Sequence, residues 1–412
     1  MHALLIPFGS SGDVHPLVGV AAALARRGHR VTVATNGHFR PLVEREGLAY
    51  EEVGTAEEYL QAMQHPDLWH PTRAPRAVMS YPGMADAQRR MFELIRQLTP
   101  DVVVGGSLAF GARVAREKLG TPLVTVHLQP SLFRSSVCPP VLGPVRLPRW
   151  LPPGVVRGFW WLADRAFVDP IMAPAIEPLR RDLGLRPVRR YMNGWWDSPD
   201  RVIGLFPDWF GSAPDWPPQV RLTGFPLFDE RTAAGLPADV RRFLDAGDRP
   251  VAVTFGSGMR QGSAYFAAAA DALGRLGRRG LLLTPFREQV PDRLPAGVEH
   301  FAYVPFGLLL PHAAALVHHG GVGTCAQGLA AGVPQVIMPL AHDQPDNADR
   351  LQRLGVSRTL PPKRFHGPDL ARVLTDLLAC ERTAKACREV AARFVGTDPV
   401  GETCRLIEEF AG

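Results

Sequence analysis

The sequence predicts an α/β protein built from two doubly wound domains, and two observations support this prediction. Each half of the 412-residue chain opens with a short apolar run that leads into a Gly/Ser loop and then into a helical pattern. A stretch dense in proline and glycine, residues 206–237, separates the halves. Repeated strand–helix–strand units indicate parallel sheets with right-handed crossovers. Two such domains joined by one linker imply a cleft between them.

The first half begins with a strand–helix–strand unit. Residues 2–8 are typical of a buried strand, residues 9–13 of a Gly/Ser loop, and residues 17–27 of a helix that Gly28 ends. The pattern then returns, with strands predicted at residues 30–34, 101–105 and 122–126 and a helix at residues 109–119.

The second half repeats this arrangement. Residues 250–255 predict a strand, residues 256–258 a loop and residues 264–276 a helix, and further strands are predicted at residues 280–284 and 314–318. The patterns divide the chain into an N-terminal domain at 1–215, a linker at 216–238, a C-terminal domain at 239–395 and a last helical segment at 396–412.

The composition argues against several classes of function. Five cysteines, an odd number without CxxC spacing, do not fit a disulfide framework or a zinc site. The net charge of +6 suits an anionic ligand but is too diffuse for nucleic acid, and a solvated basic surface also explains it. We recognise no signal peptide, and prolines and glycines interrupt the uncharged stretch at residues 300–342. We therefore expect a cytoplasmic protein.

The most specific pattern lies at residues 317–347, where a strand ending in two histidines precedes a glycine loop and a helix predicted from Thr324. Bare glycines before a helix leave N–H groups without partners at the positive end of the helix dipole, which predicts an anion site. His319 and Thr324 can bind phosphate oxygens, and Asp343 with Gln344 suits sugar hydroxyls. An ordinary Gly-rich turn is the alternative for the loop taken alone.

Together with the N-terminus, this block resembles the GT-B glycosyltransferases of the UDP-glycosyltransferase superfamily (family 1). The N-terminal motif reads Gly9-Ser10-Ser11-Gly12-Asp13-Val14-His15-Pro16. The resemblance implies a GT-B fold, with two Rossmann-like doubly wound domains facing across a cleft. It further implies that the N-terminal domain binds the acceptor, that the C-terminal domain binds a nucleotide sugar, and that the last helix packs back on the N-terminal domain.

The same resemblance implies a donor site in the C-terminal domain. Tyr303 matches a ring that stacks on the nucleobase, and the backbone of Val304 would read the edge of the base. The positions that match contacts to the pyrophosphate are Ser257, His319, Gly321, Gly323 and Thr324. Asp343 and Gln344 match contacts to the transferred sugar, and Gln327 stands where many relatives place a ribose-binding glutamate. A core aromatic is the alternative for Tyr303.

Asp13 is the expected general base, with His15 as the second candidate. Asp13 follows the first strand at the carboxyl edge of the sheet, where ligands bind in doubly wound folds, and antibiotic-type relatives carry aspartate at the matching position. Its side chain would take the proton from the attacking hydroxyl. The structural alternative is that Asp13 caps a helix starting near Pro16. Histidine-based relatives add an aspartate after a later strand, but this chain has Gly105-Gly106-Ser107 there.

The acceptor side is less specific. All eight tryptophans lie between Trp69 and Trp216, and Trp69, Phe133, Trp160 and Trp161, with Val137 and Val141, could line an apolar pocket. If the acceptor is acidic, Arg73, Arg76 or Arg134 could meet its carboxylate. Each of these residues could equally belong to the core or to the solvated surface. The Pro/Trp/Arg stretch at residues 146–165 suggests peripheral contact with a membrane, at the inner face of the cell membrane.

The resemblance implies an inverting transferase without a cofactor, and the absence of an Asp-x-Asp triplet argues against a metal. Residues 66–71, 205–210, 215–217 and 223–229 are similar to the rhamnolipid rhamnosyltransferases. They suggest dTDP-L-rhamnose as donor, a 3-(3-hydroxyalkanoyloxy)alkanoate as acceptor and a partner protein that supplies this lipid. The alternatives are a UDP- or dTDP-sugar transferase acting on a polyketide, sterol or other natural product, an epimerase of the same architecture, and a non-catalytic activator that binds nucleotide.

Overall fold

The computed structural model describes residues 1–81, 83–228 and 235–411, which form two compact units. Unit 1 comprises Met1–Pro226 and Asp398–Gly412, and unit 2 comprises Leu227–Thr397. Two parts of the sequence predictions lie outside the described residues. They are residues 229–234 of the linker, including Asp229 of the rhamnosyltransferase-like stretch, and Gly412 of the last segment.

Unit 1 is a parallel sheet covered by helices. Its strands are β1 (His2–Ile6), β2 (Arg30–Asn36), β3 (Ala49–Gly54), β4 (Val102–Gly106), β5 (Leu123–His127), β6 (Arg201–Gly204) and β7 (Val220–Leu222). Its helices, apart from the C-terminal one, are α1 (Ser11–Arg26), α2 (Arg40–Arg45), α3 (Ala56–Met63), α4 (Ala74–Met79), α5 (Met84–Leu98), α6 (Phe110–Leu119), α7 (Pro153–Ala163) and α8 (Asp169–Asp182). The strand order is β3-β2-β1-β4-β5-β6-β7, with parallel pairing throughout the described strands.

The central strands of unit 1 are apolar because helices cover both faces of the sheet. All five residues of β5 are buried, as are four of the five in β1. β1 is two residues shorter than predicted, since Pro7 has no N–H with which to continue the ladder. β7 lies inside the segment predicted as linker and pairs with β6 at the edge of the sheet. Prolines next to a strand are tolerated at such an edge.

Unit 2 is a second sheet of the same kind. Its strands are β8 (Val251–Thr254), β9 (Gly280–Leu283), β10 (Val298–Phe301), β11 (Ala315–His318), β12 (Gln335–Ile337) and β13 (Ser357–Thr359). Its helices are α9 (Ala238–Asp245), α10 (Ser263–Leu276), α11 (Phe306–Leu309), α12 (Val322–Ala330), α13 (Gln344–Arg353), α14 (Gly367–Leu378) and α15 (Glu381–Ala392). The order is β10-β9-β8-β11-β12-β13, again with parallel pairing in the described strands. The predicted class of two doubly wound α/β domains is confirmed.

The C-terminal helix, α16 (Pro399–Ala411), belongs to unit 1. Glu408 accepts hydrogen bonds of 2.6 Å from both Nε and Nη2 of Arg27, and it lies 2.9 Å from Nε2 of His29. Ile407 is fully buried, and the Cys404 thiol lies 3.8 Å from the carbonyl oxygen of Val20 on α1. A bidentate ion pair and an apolar face therefore hold α16 against α1.

A helix that crosses a bilayer needs roughly 20 predominantly apolar residues. Within residues 1–81, 83–228 and 235–411, no helix is both long enough and apolar enough to span a membrane.

Candidate donor-binding and catalytic sites

Three predicted site residues, together with Ser107, lie beside the points where the strand order of each sheet reverses. The reversal falls between β1 and β4 in unit 1, and between β8 and β11 in unit 2. Doubly wound folds bind ligands outside the carboxyl ends of the strands at such points. Asp13 and Ser107 follow the two strands in unit 1, and Ser257 and His319 follow those in unit 2.

The glycine loop of unit 2 leads directly into a helix. β11 ends at His318, Gly321 is extended with φ −60° and ψ 139°, and α12 begins at Val322. The helix starts two residues earlier than predicted, because Gly321 is the last extended residue before it. Thr324 therefore lies in the first turn, whose N–H groups have no partner within the helix. These groups and the helix dipole favour an anion at this end.

His319 is enclosed by Gly256, in the loop after β8, and by Gly321, one of the predicted site glycines. A Cβ added to Gly256 would lie 3.1 Å from Nε2 of the ring, and one added to Gly321 would lie 2.6 Å from the same atom. Both positions need glycine if the imidazole is to keep its place, and exposed Ser257 follows Gly256 directly. Burial lowers the pKa of His319 to about 4, so that the ring is neutral at pH 7.

His318 holds the turn that precedes His319. Its Nδ1 accepts a hydrogen bond of 3.1 Å from the N–H of Gly320, so the ring proton is assigned to Nε2, which lies 2.8 Å from Oε1 of Gln335. The Gln335 amide donates in turn to the carbonyl oxygen of Cys325 on α12, at 3.4 Å. Burial lowers the pKa of His318 to about 3, so the ring is neutral at pH 7 and its Nδ1 can accept the hydrogen bond from Gly320.

Gly320 is also held from its carbonyl side. Nδ2 of Asn347 donates to the Gly320 oxygen at 2.9 Å and to Oδ2 of Asp343 at 2.6 Å. Gly320 has φ +95°, and a Cβ there would lie 2.8 Å from Cγ2 of Ile337. A hydrogen-bonded chain therefore runs from α12 through His318 and Gly320 to Asp343. Asn347 had been recognisable from the sequence only as the last residue of the 317–347 pattern, and no role was predicted for His318.

Asp343 and Gln344 occupy different surroundings. Asp343 is partly exposed, whereas the side chain of Gln344 is buried. Oε1 of Gln344 accepts hydrogen bonds from the N–H groups of Leu340 and Ala341, at 2.7 and 3.1 Å. This amide oxygen is thus engaged in shaping the turn after β12, whereas the sequence had suggested a contact to the sugar.

The positions predicted for the nucleoside lie at the same edge of the sheet. Tyr303 and Val304 follow β10; the tyrosine side chain is exposed and the valine is buried. An exposed aromatic ring can stack on a flat base. Gln327 lies within α12 and is buried. Gly323, which was predicted to contact the pyrophosphate, is exposed in the first turn of that helix. These donor contacts stay predictions.

Asp13 lies inside a helix, and the prediction of a loop position for it is wrong. α1 begins at Ser11, so Asp13 is the third helical residue and Ser10 is the N-cap. The Asp13 carboxylate accepts hydrogen bonds from the N–H and the Oγ of Ser10, which satisfies a donor at the helix start and allows the helix to begin early. Gly9 has φ +137°, and a Cβ there would lie 2.4 Å from Oδ2 of Asp13. Burial raises the pKa of Asp13, against the opposing effect of the Ser10 hydrogen bonds.

His15 lies in the same first part of α1 but on a different side of the helix. Residues two apart in a helix do not share a face, so His15 and Asp13 do not form a pair of neighbours. The His15 ring is partly exposed and packs edge-on against Phe39, with centroids 6.0 Å apart.

A second polar cluster at the edge of the first sheet was not found from the sequence. Ser107 Oγ lies 3.0 Å from Nδ1 of buried His127, and Nε2 of His127 lies 2.8 Å from Oδ1 of Asp197. The chain lacks an aspartate at residues 105–107, yet the fold supplies a His–Asp pair beside them. No spacing signal could reveal it, because His127 and Asp197 are 70 residues apart.

The four predicted acceptor residues do not share one environment. Phe133 is buried and stacks on Trp216 with centroids 4.6 Å apart. Trp160 is buried and donates from Nε1 to the carbonyl oxygen of Ser135, whereas Trp161 is half exposed. Adjacent residues on α7 point about 100° apart, so the two tryptophans cannot line one wall. Trp69 is partly buried in the segment between α3 and α4.

Arg134, one of the arginines considered for an acidic acceptor, is a buried structural residue. Its guanidinium forms an ion pair with the fully buried carboxylate of Asp164 and lies over the Trp160 ring, 4.8 Å from the centroid. Arg190 also approaches Asp164, at 3.4 Å. Arg73 pairs with Asp67 at the surface, and Arg76 is exposed.

All five cysteines are thiols without a disulfide. In the described ranges, no group of three or more His, Cys, Asp or Glu side chains is arranged to hold a metal ion.

Two family models match the chain, one within unit 1 and one mostly within unit 2. The glycosyltransferase family 28 N-terminal domain matches residues 3–128. The C-terminal domain of the erythromycin biosynthesis protein CIII-like family matches residues 282–404, which include the glycine loop.

Named relatives match over all or nearly all of the chain. The O-mycaminosyltylonolide 6-deoxyallosyltransferase of Streptomyces fradiae is 30% identical, over 100% of this chain and 98% of that protein. The sterol 3-beta-glucosyltransferase UGT80A2 of Arabidopsis thaliana is 28% identical, over 94% of this chain and 63% of that protein.

Solved structures agree in fold. The glycotransferase of kitacinnamycin has a TM-score of 0.76 at 20% identity, covering 100% of this chain and 99% of that one. The spinosyn rhamnosyltransferase SpnG complexed with thymidine diphosphate has a TM-score of 0.70 at 17% identity, covering 99% of this chain and 100% of that one. These findings confirm the resemblance at the level of the family. The chain therefore belongs to the family 1-like GT-B glycosyltransferases and is a hexosyltransferase that uses a nucleotide-sugar donor.

Proposed function

We propose that the chain transfers a sugar from a nucleoside diphosphate to a hydroxyl group of a hydrophobic acceptor, with inversion and without a metal ion. The acceptor oxygen attacks the anomeric carbon, and a new C–O bond forms as the bond to the diphosphate breaks. The electron pair leaves with the diphosphate, and the hydroxyl proton passes to the carboxylate of Asp13.

The observation that carries the proposal is the hydrogen-bonded frame around the glycine loop. His318 and Asn347 hold both polar groups of Gly320, and the loop leads into the N-terminus of α12. Fixed N–H groups at a helix start stabilise the charge that develops on a leaving diphosphate, because they need no reorganisation during the reaction. Neutral His319 adds a hydrogen-bond donor beside the loop.

For the donor we propose dTDP-L-rhamnose, with other dTDP- and UDP-sugars as alternatives. Two comparisons support a thymidine nucleotide and a deoxysugar. The similar structure of SpnG is a rhamnosyltransferase with thymidine diphosphate bound, and the Streptomyces fradiae relative transfers a 6-deoxyallosyl group.

For the acceptor we propose a 3-(3-hydroxyalkanoyloxy)alkanoate, which the rhamnosyltransferase-like sequence stretches support. The second candidate is a macrolide-type polyketide or a sterol. It is favoured by the full-length similarity to the O-mycaminosyltylonolide enzyme and by the similarity to the sterol glucosyltransferase.

Differential scanning fluorimetry with dTDP, UDP, dTDP-sugars and UDP-sugars would identify the donor. Binding to the folded protein alone raises the unfolding temperature by mass action. We expect the largest rise with dTDP-L-rhamnose, and a much smaller rise for a His319→Gln variant. His366→Gln, an exposed histidine of the same unit, is the matched control and should behave as wild type.

The donor found in this way is then incubated with each acceptor class, and products are measured by mass spectrometry. A glycosylated hydroxyalkanoyloxy-alkanoate supports the first acceptor, and a glycosylated macrolide or sterol supports the second. Donor binding without transfer to any acceptor class would favour the non-catalytic activator. Conversion of the nucleotide sugar to its epimer without an acceptor would favour the epimerase.

A further inference from the structure

The segment around α7 exposes an unusual number of large apolar side chains. Its members are Val145, Trp150, Val155, Trp161, Leu162 and Phe167, here called the α7 surface. Trp150 is 79% exposed and Phe167 is 66% exposed, although apolar side chains of this size are normally buried. Six such residues within 23 consecutive positions form a concentration that solubility alone would select against.

The exposure follows from the geometry of α7. Val156, Trp160 and Asp164 recur at intervals of four and are buried, so they form the face that packs on unit 1. Val155 and Leu162 lie seven residues apart and share the opposite face. The helix is thus apolar both towards the core and towards solvent, which is not the pattern of an ordinary surface helix.

The charges of this segment have one sign. Between residues 137 and 168 the charged side chains are Arg146, Arg149, Arg157, Asp164 and Arg165. The four arginines are exposed, whereas Asp164 is fully buried against Arg134 and Arg190. Asp169, two residues after Phe167, is partly exposed, and its carboxylate accepts hydrogen bonds from the N–H groups of Arg190 and Tyr191. The fully exposed charges of this segment are therefore positive.

We propose that the α7 surface docks on an anionic lipid bilayer. Tryptophan and phenylalanine side chains enter the headgroup region, and flanking arginines bind lipid phosphates while their stems cover apolar area. A symmetric dimer through this surface would bring like-charged arginine clusters together, which opposes self-association. The lipid surface supplies both the apolar environment and the opposite charge. This docking is separate from sugar transfer and does not rest on the acceptor proposed above.

The test is co-sedimentation of the full chain with vesicles of phosphatidylcholine alone or with about 30–40% phosphatidylglycerol. Binding is measured in about 0.05 M and about 0.5 M salt, which lie below and above physiological ionic strength and so screen charges less and more strongly. We expect binding to the anionic vesicles only, and loss of binding in high salt. Each juxtamembrane arginine contributes roughly a fivefold factor in affinity. Arg149→Gln with Arg165→Gln should therefore weaken binding by about 25-fold.

Matched control variants distinguish the loss of a docking contact from a nonspecific effect of removing exposed apolar or charged side chains. Trp150→Ala with Phe167→Ala should abolish binding, whereas Leu119→Ala with Val395→Ala, at exposed apolar positions elsewhere, should not. Arg382→Gln with Arg388→Gln is the charge control in unit 2. All variants should keep the wild-type unfolding temperature, because every substituted side chain is exposed.

Three results would overturn the proposal. They are equal binding to neutral and anionic vesicles, unchanged binding by the Trp150/Phe167 variant, and no vesicle binding by the wild type. A concentration-dependent dimer that the Trp150/Phe167 variant abolishes, found without vesicle binding, would assign the α7 surface to self-association instead.

Discussion

The carboxylate of Asp13 accepts two hydrogen bonds from Ser10, one from its backbone N–H and one from its Oγ, each 2.8 Å long. This pair starts α1 and also fixes the orientation of the carboxylate beside the reversal point of the first sheet. Capping and catalysis were alternatives in the sequence analysis. The structure corrects the capping alternative: Ser10 is the N-cap, α1 begins at Ser11 rather than near Pro16, and Asp13 makes the reciprocal contact from the third helical position. The proposed proton transfer uses the same carboxylate.

The Ser10 contact predicts a specific pH dependence of transfer. Burial raises the pKa of Asp13 above its ordinary value of 3.8, and the Ser10 hydrogen bonds lower it. If Asp13 is the base, kcat/KM should rise with pH as this carboxyl group loses its proton. Ser10→Ala removes one stabilising bond to the carboxylate, so the rising limb should move to higher pH. Ser10→Thr keeps the hydroxyl and should leave the rising part of the kcat/KM profile at the wild-type pH. An identical profile in the wild type and both variants would argue against Asp13 as the general base.

Gly320 should tolerate no side chain. Its φ of +95° and the 2.8 Å approach of a Cβ to Ile337 mean that Gly320→Ala strains the backbone and displaces the strand. We expect a loss of about 1–3 kcal/mol in the free energy of unfolding, together with weaker binding of the nucleotide. Gly323→Ala has nothing within 4 Å of the new Cβ and should be nearly neutral in stability. Urea unfolding of both variants measures the difference.

The hydrogen-bonded chain through His318 should make stability depend on pH. The pKa of His318 is lowered to about 3 in the folded state, against the ordinary histidine value of 6.5. Between these two pKa values the unfolded chain binds a proton that the folded chain does not. The contribution of neutral His318 to the free energy of unfolding should therefore be at its maximum above pH 6.5 and should fall as the pH drops towards 3. His319, with a pKa lowered to about 4, contributes in the same direction. His318→Gln should remove part of this dependence in urea titrations between pH 4 and 8, and unchanged slopes would contradict the role of His318.

Asn347 should couple the glycine loop to the sugar end of the donor site. Asn347→Ala leaves the buried Gly320 oxygen without its donor, at a cost of roughly 1–3 kcal/mol, and frees Asp343 from its 2.6 Å contact. We expect weaker binding of both dTDP and the nucleotide sugar, with the larger loss for the sugar. Calorimetric titration with both ligands tests this, and Arg353→Ala on the exposed side of the same helix is the control. Equal affinities for variant and wild type would exclude the coupling.

The sequence predicted those features that depend on local pattern. The strand, glycine loop and helix around His319 could be read directly, because bare glycines at the carboxyl end of a buried strand have few other uses. The start of α1 could not be predicted in this way, because it depends on a contact between the Asp13 side chain and Ser10. The His127–Asp197 pair depends on neighbouring strands that are far apart in sequence. Trp160 and Trp161 look alike in the sequence, and only the direction in which α7 packs separates them.

The most direct test of the account is transfer by an Asp13→Asn variant, measured with the donor identified for the wild type. Asparagine has nearly the same shape but cannot accept the hydroxyl proton. We expect kcat to fall by about 10²- to 10⁴-fold, the range of general-base catalysis, while the dissociation constant for dTDP stays within about twofold, a difference below about 0.5 kcal/mol. Turnover equal to that of the wild type would contradict the central claim that Asp13 is the base of this glycosyltransferase.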